Sequence, residues 1–225
     1  MRIFQLLQDD DLRAVVDRLG TVKYQPGNKG VTGHAGMVKD NFQIDHSDPA
    51  MRDLSAFLAS RIMDNENVFW FLFPKTLTLP IISKTVVGGG YGTHIDNSQL
   101  TDHAGAQMRT DISYTVFLSD PDSYDGGELS IQESIGEIDV KLSPGEAVFY
   151  SSGRLHEVKP VTRGERIVCI GWIESMIYDE EARTALYDMR AMQEEIGNLV
   201  DKGSPTFQNF QAAVNNMRRC LIGRI

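Results

Sequence analysis

Between Pro80 and Ile173 the chain is a succession of short β-rich runs, each closed by a turn signal, and this texture limits the fold more than any other feature. Ile81 to Val87 runs into GGGYG, Arg109 to Leu118 ends at SDPDSYDGG, and Glu128 to Gln132 precedes a turn at Gly136. Ile138 to Leu142, the SPGE turn, Ala147 to Ser151, His156 to Val161, the RGE turn and Arg166 to Ile173 complete the series. About seven or eight short strands in roughly ninety residues, without βαβ alternation, predict a sandwich or barrel of the jelly-roll kind.

Helical periodicity brackets this stretch. Asp9 to Leu19 sets Leu12, Val15, Val16 and Leu19 at helical spacing behind an acidic first turn, which suits the positive end of a helix. Ser47, Asp48 and Pro49 form a start signal for a second helix, whose stripe of Leu54, Phe57, Leu58 and Ile62 continues to Asn65. The glycine-rich GNKGVTGHAGMVKDN between them shows no period and is read as a loop. After Ser175 the helical period returns with Ile177, Ala182, Ala185, Leu186, Met189 and Ile196. A last helix opens at Ser204-Pro205 and carries Phe207, Phe210, Val214, Met217 and Leu221. The expected fold is mainly β with flanking helices, a core with N-terminal helices and a C-terminal helical appendage.

Composition excludes several classes. A chain of 225 residues with 41% hydrophobic and 24% charged residues is globular, with room for one core and an appendage. Lys+Arg 22 against Asp+Glu 31 gives a net charge of −9, which disfavours nucleic acid and acidic membranes as partners. Cys169 and Cys220 form no CxxC and are expected to be free, buried thiols. The acidic start MRIFQLLQDDD fails as a signal peptide, and the longest apolar run, Val68 to Phe73, is far too short to span a bilayer, so a cytoplasmic location is expected. Trp70, Phe71 and Phe73 in that run read as core. GGGYG lacks GxGxxG spacing, and neither GxSxG nor HExxH occurs.

His94 and Asp96 lie two apart at a strand end, so period-two alternation points both side chains to one face. His156 opens a later predicted strand, two hairpins on, and can return beside them. Two histidines and one carboxylate, with half the coordination sphere open, form the facial arrangement associated with non-haem Fe(II). Arg166 sits on the next strand among Ile167, Val168, Cys169, Ile170 and Trp172, apolar on both faces, so its guanidinium requires a buried anion. One candidate is an acid of the chain. The other is the far carboxylate of a dicarboxylate cosubstrate held bidentately.

The stretches YGTHIDN, RTDISYTVFLSDPDSYDGGELSI, LSPGEAVFY, LHEVKPVTRGERIVCIGWIES and ALYDMR together resemble the Fe(II)/2-oxoglutarate-dependent dioxygenases, specifically the PKHD-type hydroxylases related to prolyl hydroxylases. The likeness covers nearly the whole chain, weakening in residues 21–46 and after about 195. It implies a double-stranded β-helix (jelly roll) core, with iron on His94, Asp96 and His156 and 2-oxoglutarate anchored by Arg166. It implies a dioxygenase unit over residues 1–176 and a helical extension over 177–225. In that family 2-oxoglutarate chelates iron through its 1-carboxylate and keto oxygen. Its oxidative decarboxylation to succinate and CO2 is coupled to hydroxylation by O2, with L-ascorbate as the usual reductant. The hydroxyl acceptor is unidentified, a prolyl or lysyl residue or a small molecule.

The chain departs from the prolyl hydroxylases where a tyrosine on the strand after HxD helps hold 2-oxoglutarate, since Phe117 stands there. Ser113 and Thr115 share its face, Asp111 extends the row, and either hydroxyl can serve as the donor instead. Tyr91 matches the YxxHxD pattern and is read either as packing or as part of the site. His34, His46 and His103 read as surface residues, although the loops holding His34 and His103 suit the rim of a metal site. Two other classes are carried forward. One is a non-catalytic metal- or ligand-binding jelly-roll sensor; the other is a cupin without cosubstrate, which would not need Arg166. A homodimer through the C-terminal helices is also expected.

Overall fold

The structure, a computed structural model, describes residues 1–20, 22–29, 33–45, 48–102 and 104–222. The chain opens with β1 (Arg2–Gln5), α1 (Asp9–Leu19), β2 (Tyr24–Pro26), α2 (Gly33–Met37), β3 (Lys39–Asp40) and β4 (Phe42–Ile44). Helices α3 (Pro49–Asp64) and α4 (Glu66–Leu72) lead to β5 (Pro74–Leu77), β6 (Ile81–Val86), β7 (Gly90–His94), β8 (Gln99–Thr101) and β9 (Gln107–Arg109). There follow β10 (Ile112–Phe117), β11 (Asp125–Gly126), β12 (Leu129–Glu133), β13 (Gly136–Val140), β14 (Glu146–Ser151), β15 (His156–Val158), β16 (Val161–Arg163) and β17 (Glu165–Ser175). Helices α5 (Glu180–Leu199) and α6 (Pro205–Leu221) close the chain.

The fold is mainly β with several helices. An eight-stranded antiparallel sheet runs β1-β14-β10-β17-β6-β4-β2, with β5 pairing the end of β17. A five-stranded sheet runs β13-β12-β15-β7-β3. Its inner face packs on the larger sheet through Leu129, Ile131 and Val140 against Phe117, Val148 and Val168. The opposite face of the larger sheet, with Tyr114, Val116, Phe149, Cys169 and Ile173, buries the apolar stripe of α3 and α4, including Leu54, Leu58, Ile62 and Val68. The central strand β10, ISYTVF, is buried on both faces, and its β-branched and aromatic residues suit that position.

Several expectations need correction. The predicted loop over 27–41 contains α2 and β3, and the N-terminal third adds β1, β2, β4 and β5 to the larger sheet as well as helices. The run Arg109 to Leu118 is two strands, broken at Thr110 and Asp111, because β9 turns out to pair with β8. Ser47, His46 and His103 lie outside the described residues; the α3 cap is Asp48, which accepts a bond from the Ala50 amide. Asn65 ends α3 as expected, and its side chain also caps α4 by accepting from the Val68 amide. Cys169 is buried and Cys220 exposed, both free, because α6 is amphipathic and turns Cys220 to solvent.

Helix α5 packs against β1 and α4. Tyr187 of α5 makes edge contacts with Phe4 and Phe71, and Arg2 pairs with Asp188. Phe73 and Phe71 are core as expected, whereas Trp70 is half-buried between the guanidinia of Arg190 and Arg218. Among the described residues no helix is long and apolar enough to cross a membrane.

Phe149 is fully buried between Phe4 and Tyr114, where sheet and helices meet. Phe149→Ala is expected to destabilise the fold by about 3–5 kcal/mol, read as a lowered urea midpoint with unchanged slope. A loss under about 1 kcal/mol would contradict this packing.

Candidate functional site

The pairing of β15 with β7 sets His156 directly opposite His94. Both rings therefore project from one face of the smaller sheet, with centroids 4.3 Å apart. Glycine permits this close approach: a Cβ on Gly90 would stand 2.8 Å from the Val158 carbonyl, and one on Gly89 2.6 Å from that of Asp40. The GGGYG run thus serves strand packing beside the site.

Each imidazole is oriented by the chain itself. Nδ1 of His94 lies 2.8 Å from the Gly92 carbonyl, and Nδ1 of His156 2.9 Å from that of Arg154. A carbonyl only accepts, so Nδ1–H donates in both and each Nε2 keeps its lone pair. Nε2 of His156 stands 3.7 Å from Asp96 Oδ2, and one ligand atom from each of His94, Asp96 and His156 falls within 4.8 Å of the others. Burial, and then the neighbouring His156, push His94 down to about 4, so it is neutral at pH 7. Tyr91 stacks on His94 at 3.6 Å between centroids and 16° between planes, and burial and Asp96 raise its phenol to about 12.

Ser113 donates to Asp96 Oδ2 at 2.5 Å and stands 2.7 Å from the Ser152 hydroxyl. Its hydroxyl is thereby engaged with the carboxylate of the triad, at the opposite end of the cavity from Arg166's strand position. Asp111 leaves the row of Ser113, Thr115 and Phe117: it binds Arg109 and accepts from the Ser175 amide. His34 is exposed.

Between the sheets lies a cavity of about 80 Å³ that His94, Asp96, His156, Thr115, Tyr150 and Arg166 help to line. Arg166 is 2% exposed, and its Nε has no hydrogen-bond partner. Among the described residues it forms no ion pair; Phe117 lies 5.5 Å from its Cζ. Burial lowers its pKa, with Tyr124 and Tyr150 the leading opposing groups. Tyr150 is in turn raised by burial and by Asp96, with Thr115 and Arg166 opposing. Lys39, Asn41, Tyr150 and Trp172 in this cavity escaped the sequence reading. Trp172 was accessible to it, since it shares with Arg166, Val168 and Ile170 one face of β17.

A second cleft, of about 500 Å³, opens on the other side of Asp96, bounded by Ser152, Arg109, Tyr178, Glu180 and Arg183. The start of α5 forms one of its walls. The triad therefore stands between a small inner cavity with a buried cation and a larger outer cleft. The donor set suits a divalent ion of borderline hardness, with imidazole nitrogens and a carboxylate and no thiolate.

The sequence profile of the 2OG-Fe(II) oxygenase superfamily matches residues 81–174. A PKHD-type hydroxylase of Caulobacter sp. (strain K31) is 33% identical over 220 residues, covering 97% of each chain. Another from Prochlorococcus marinus (strain MIT 9313) is 36% identical over 198 residues, covering 87% of this chain and 86% of its own. In fold, the chain is similar to a Pseudomonas putida prolyl-4-hydroxylase, with TM-score 0.51 and 23% identity over 77% of this chain and 91% of that one. It is also similar to a Trichoplax adhaerens prolyl hydroxylase, with TM-score 0.52 and 18% identity over 82% and 86%.

Ser113→Ala frees the Asp96 carboxylate to rotate. Affinity for Mn(II), titrated calorimetrically, is expected to fall roughly tenfold or more while the melting temperature moves little. An unchanged Mn(II) affinity would show that the serine does not orient Asp96.

Proposed function

This chain belongs to the PKHD-type hydroxylases of the 2OG-Fe(II) oxygenase superfamily, and on that premise we propose that His94, Asp96 and His156 hold ferrous iron while Arg166 anchors the distal carboxylate of 2-oxoglutarate. The protein is an Fe(II)- and 2-oxoglutarate-dependent dioxygenase of unidentified substrate. One observation carries the residue assignment: a buried guanidinium with no carboxylate of the described residues within ion-pair distance, Glu128 acting on it only from further off, lines the same cavity as three side chains able to ligate a metal. Leaving such a charge unpaired costs several kcal/mol or more, so an anionic ligand completes the site. The same feature separates this reading from a cupin without cosubstrate.

When bound, metal and cosubstrate supply the oxidising power, with 2-oxoglutarate leaving as succinate and CO2 and one oxygen atom entering the substrate as hydroxyl. The chain supplies placement. The Gly92 and Arg154 carbonyls fix both imidazoles with Nε2 toward the ion, and Ser113 sets the Asp96 carboxylate. The planar fork of Arg166 reads a carboxylate bidentately at the closed end of the cavity, while Val168, Ile170 and Leu129 exclude water from it. Thr115, beside Tyr150, is the hydroxyl on that face that remains for the cosubstrate, and Tyr91 braces His94.

The outer cleft receives the primary substrate, a prolyl or lysyl residue or a small molecule, because it is the larger space and shares Asp96 with the inner cavity. The core is read as a double-stranded β-helix within a dioxygenase unit over 1–176, with 177–225 as its helical extension. L-ascorbate as reductant, a cytoplasmic location and a homodimer through α5 and α6 belong to the same reading; Met192, Leu199 and Met217 on those helices stay exposed.

Under anaerobic conditions with Fe(II) and 2-oxoglutarate, the wild type is expected to give the weak visible charge-transfer band of the chelate and, with O2, to release succinate. His156→Ala should lose the iron, whereas Arg166→Met should keep it and bind 2-oxoglutarate at least roughly tenfold more weakly. An Arg166→Met variant that binds 2-oxoglutarate normally and only melts earlier would make the arginine structural.

A further inference from the structure

Two cations face the inner cavity. Besides Arg166 on β17, Lys39 reaches it from β3, where it pairs across the strand with Tyr91. Its Nζ lies 5.3 Å from the centroid of the Tyr91 ring, which is itself stacked on His94. Through that stack the ammonium stands on the His94 side of the cavity. Lys39 is half-buried, and among the described residues it forms no ion pair with any carboxylate. Asp96 is the one carboxylate lining the cavity among those residues, and it belongs to the triad.

A half-buried ammonium stripped of part of its hydration, with no carboxylate of the described residues within ion-pair distance and only the triad's Asp96 acting on it from further off, is poised for an anionic ligand. Two such cations lining one small cavity match a dianion. Resting on the cosubstrate assignment above, we propose that Lys39 is a second anchor for 2-oxoglutarate, holding the carboxylate next to its keto group while Arg166 holds the distal one. The residue types suit the two ends. At the closed end the rigid guanidinium fork can engage both oxygens of a carboxylate. At the metal end a compact ammonium with three rotatable donors neutralises charge without demanding a bidentate fit. The Tyr91 ring faces the ammonium, which limits the freedom of the lysine and lowers the cost of ordering it on binding.

The test measures ligand binding to Mn(II)-loaded protein by quenching of tryptophan fluorescence, since Trp172 lines the cavity. Lys39→Met is expected to weaken 2-oxoglutarate about tenfold, with Lys39→Arg recovering most of the loss. 4-Oxopentanoate, which keeps the distal carboxylate and lacks the other, should compete equally well in wild type and Lys39→Met. 2-Oxopentanoate, which lacks the distal carboxylate, should lose affinity in Lys39→Met and be indifferent to Arg166→Met. Normal 2-oxoglutarate binding by Lys39→Met alongside a loss in Arg166→Met would overturn the role of Lys39 and leave the cosubstrate assignment standing. Normal binding by both variants would overturn both. Equal weakening of 4-oxopentanoate and 2-oxoglutarate in Lys39→Met would also overturn the proposal, because the lysine would then shape the cavity without reading the carboxylate. Lys39→Arg keeps the charge and the stem, so it reports even if the methionine variant folds poorly.

Discussion

The register between β7 and β15 is the constraint on which the site depends. It places His94 across from His156, and a slip by one residue would turn one imidazole to the far face of the sheet. The glycines before Tyr91 let the flanking strands and turns approach closely enough to hold that register. The Gly92 and Arg154 carbonyls, each two residues before its histidine, then fix the rings. Backbone pairing thus does most of the positioning before any side chain of the larger sheet contributes. Ser113 of β10 ties the third donor, Asp96, across the gap between the sheets.

The two sheets form a sandwich whose interior is of two kinds. Phe117, Leu129, Ile131 and Val148 make an ordinary apolar core. Directly beside it, Arg166, Lys39, Tyr150 and the triad line a polar cavity. Such a cavity is costly to maintain in an isolated fold. The helices α3 and α4, packed over the outer face of the larger sheet, supply a separate apolar core that does not share this polar interior. The division lets one face of the sheet carry stability while the other carries chemistry.

Much of this was legible in the sequence, for identifiable reasons. The HxD pair is visible because strand alternation puts both residues on one face, and Arg166 stands out because its neighbours are apolar on both faces. Most strands between residues 81 and 175 were readable because they are bounded by glycine, proline or aspartate turns, whereas β8, β11 and β16, two or three residues each, were not. The N-terminal strands β1, β2 and β4 were not, because three or four residues carry too little alternation to separate a strand from a loop. Lys39 was hidden for the same reason: β3 is two residues long and gains its meaning only from Tyr91 opposite it. The bond from Ser113 to Asp96 joins side chains 17 positions apart and depends on how the sheets face each other, which no local pattern encodes.

The central claim is that this register delivers both imidazoles to one metal ion. X-ray absorption at the iron edge, on anaerobic Fe(II)-loaded protein, tests it most directly, because multiple scattering from imidazole rings counts the histidines bound. Two rings per iron in the wild type, and one in a His94→Ala or His156→Ala variant that still retains metal, is the predicted result. One ring or none in the wild type, or a sulfur scatterer, would contradict it.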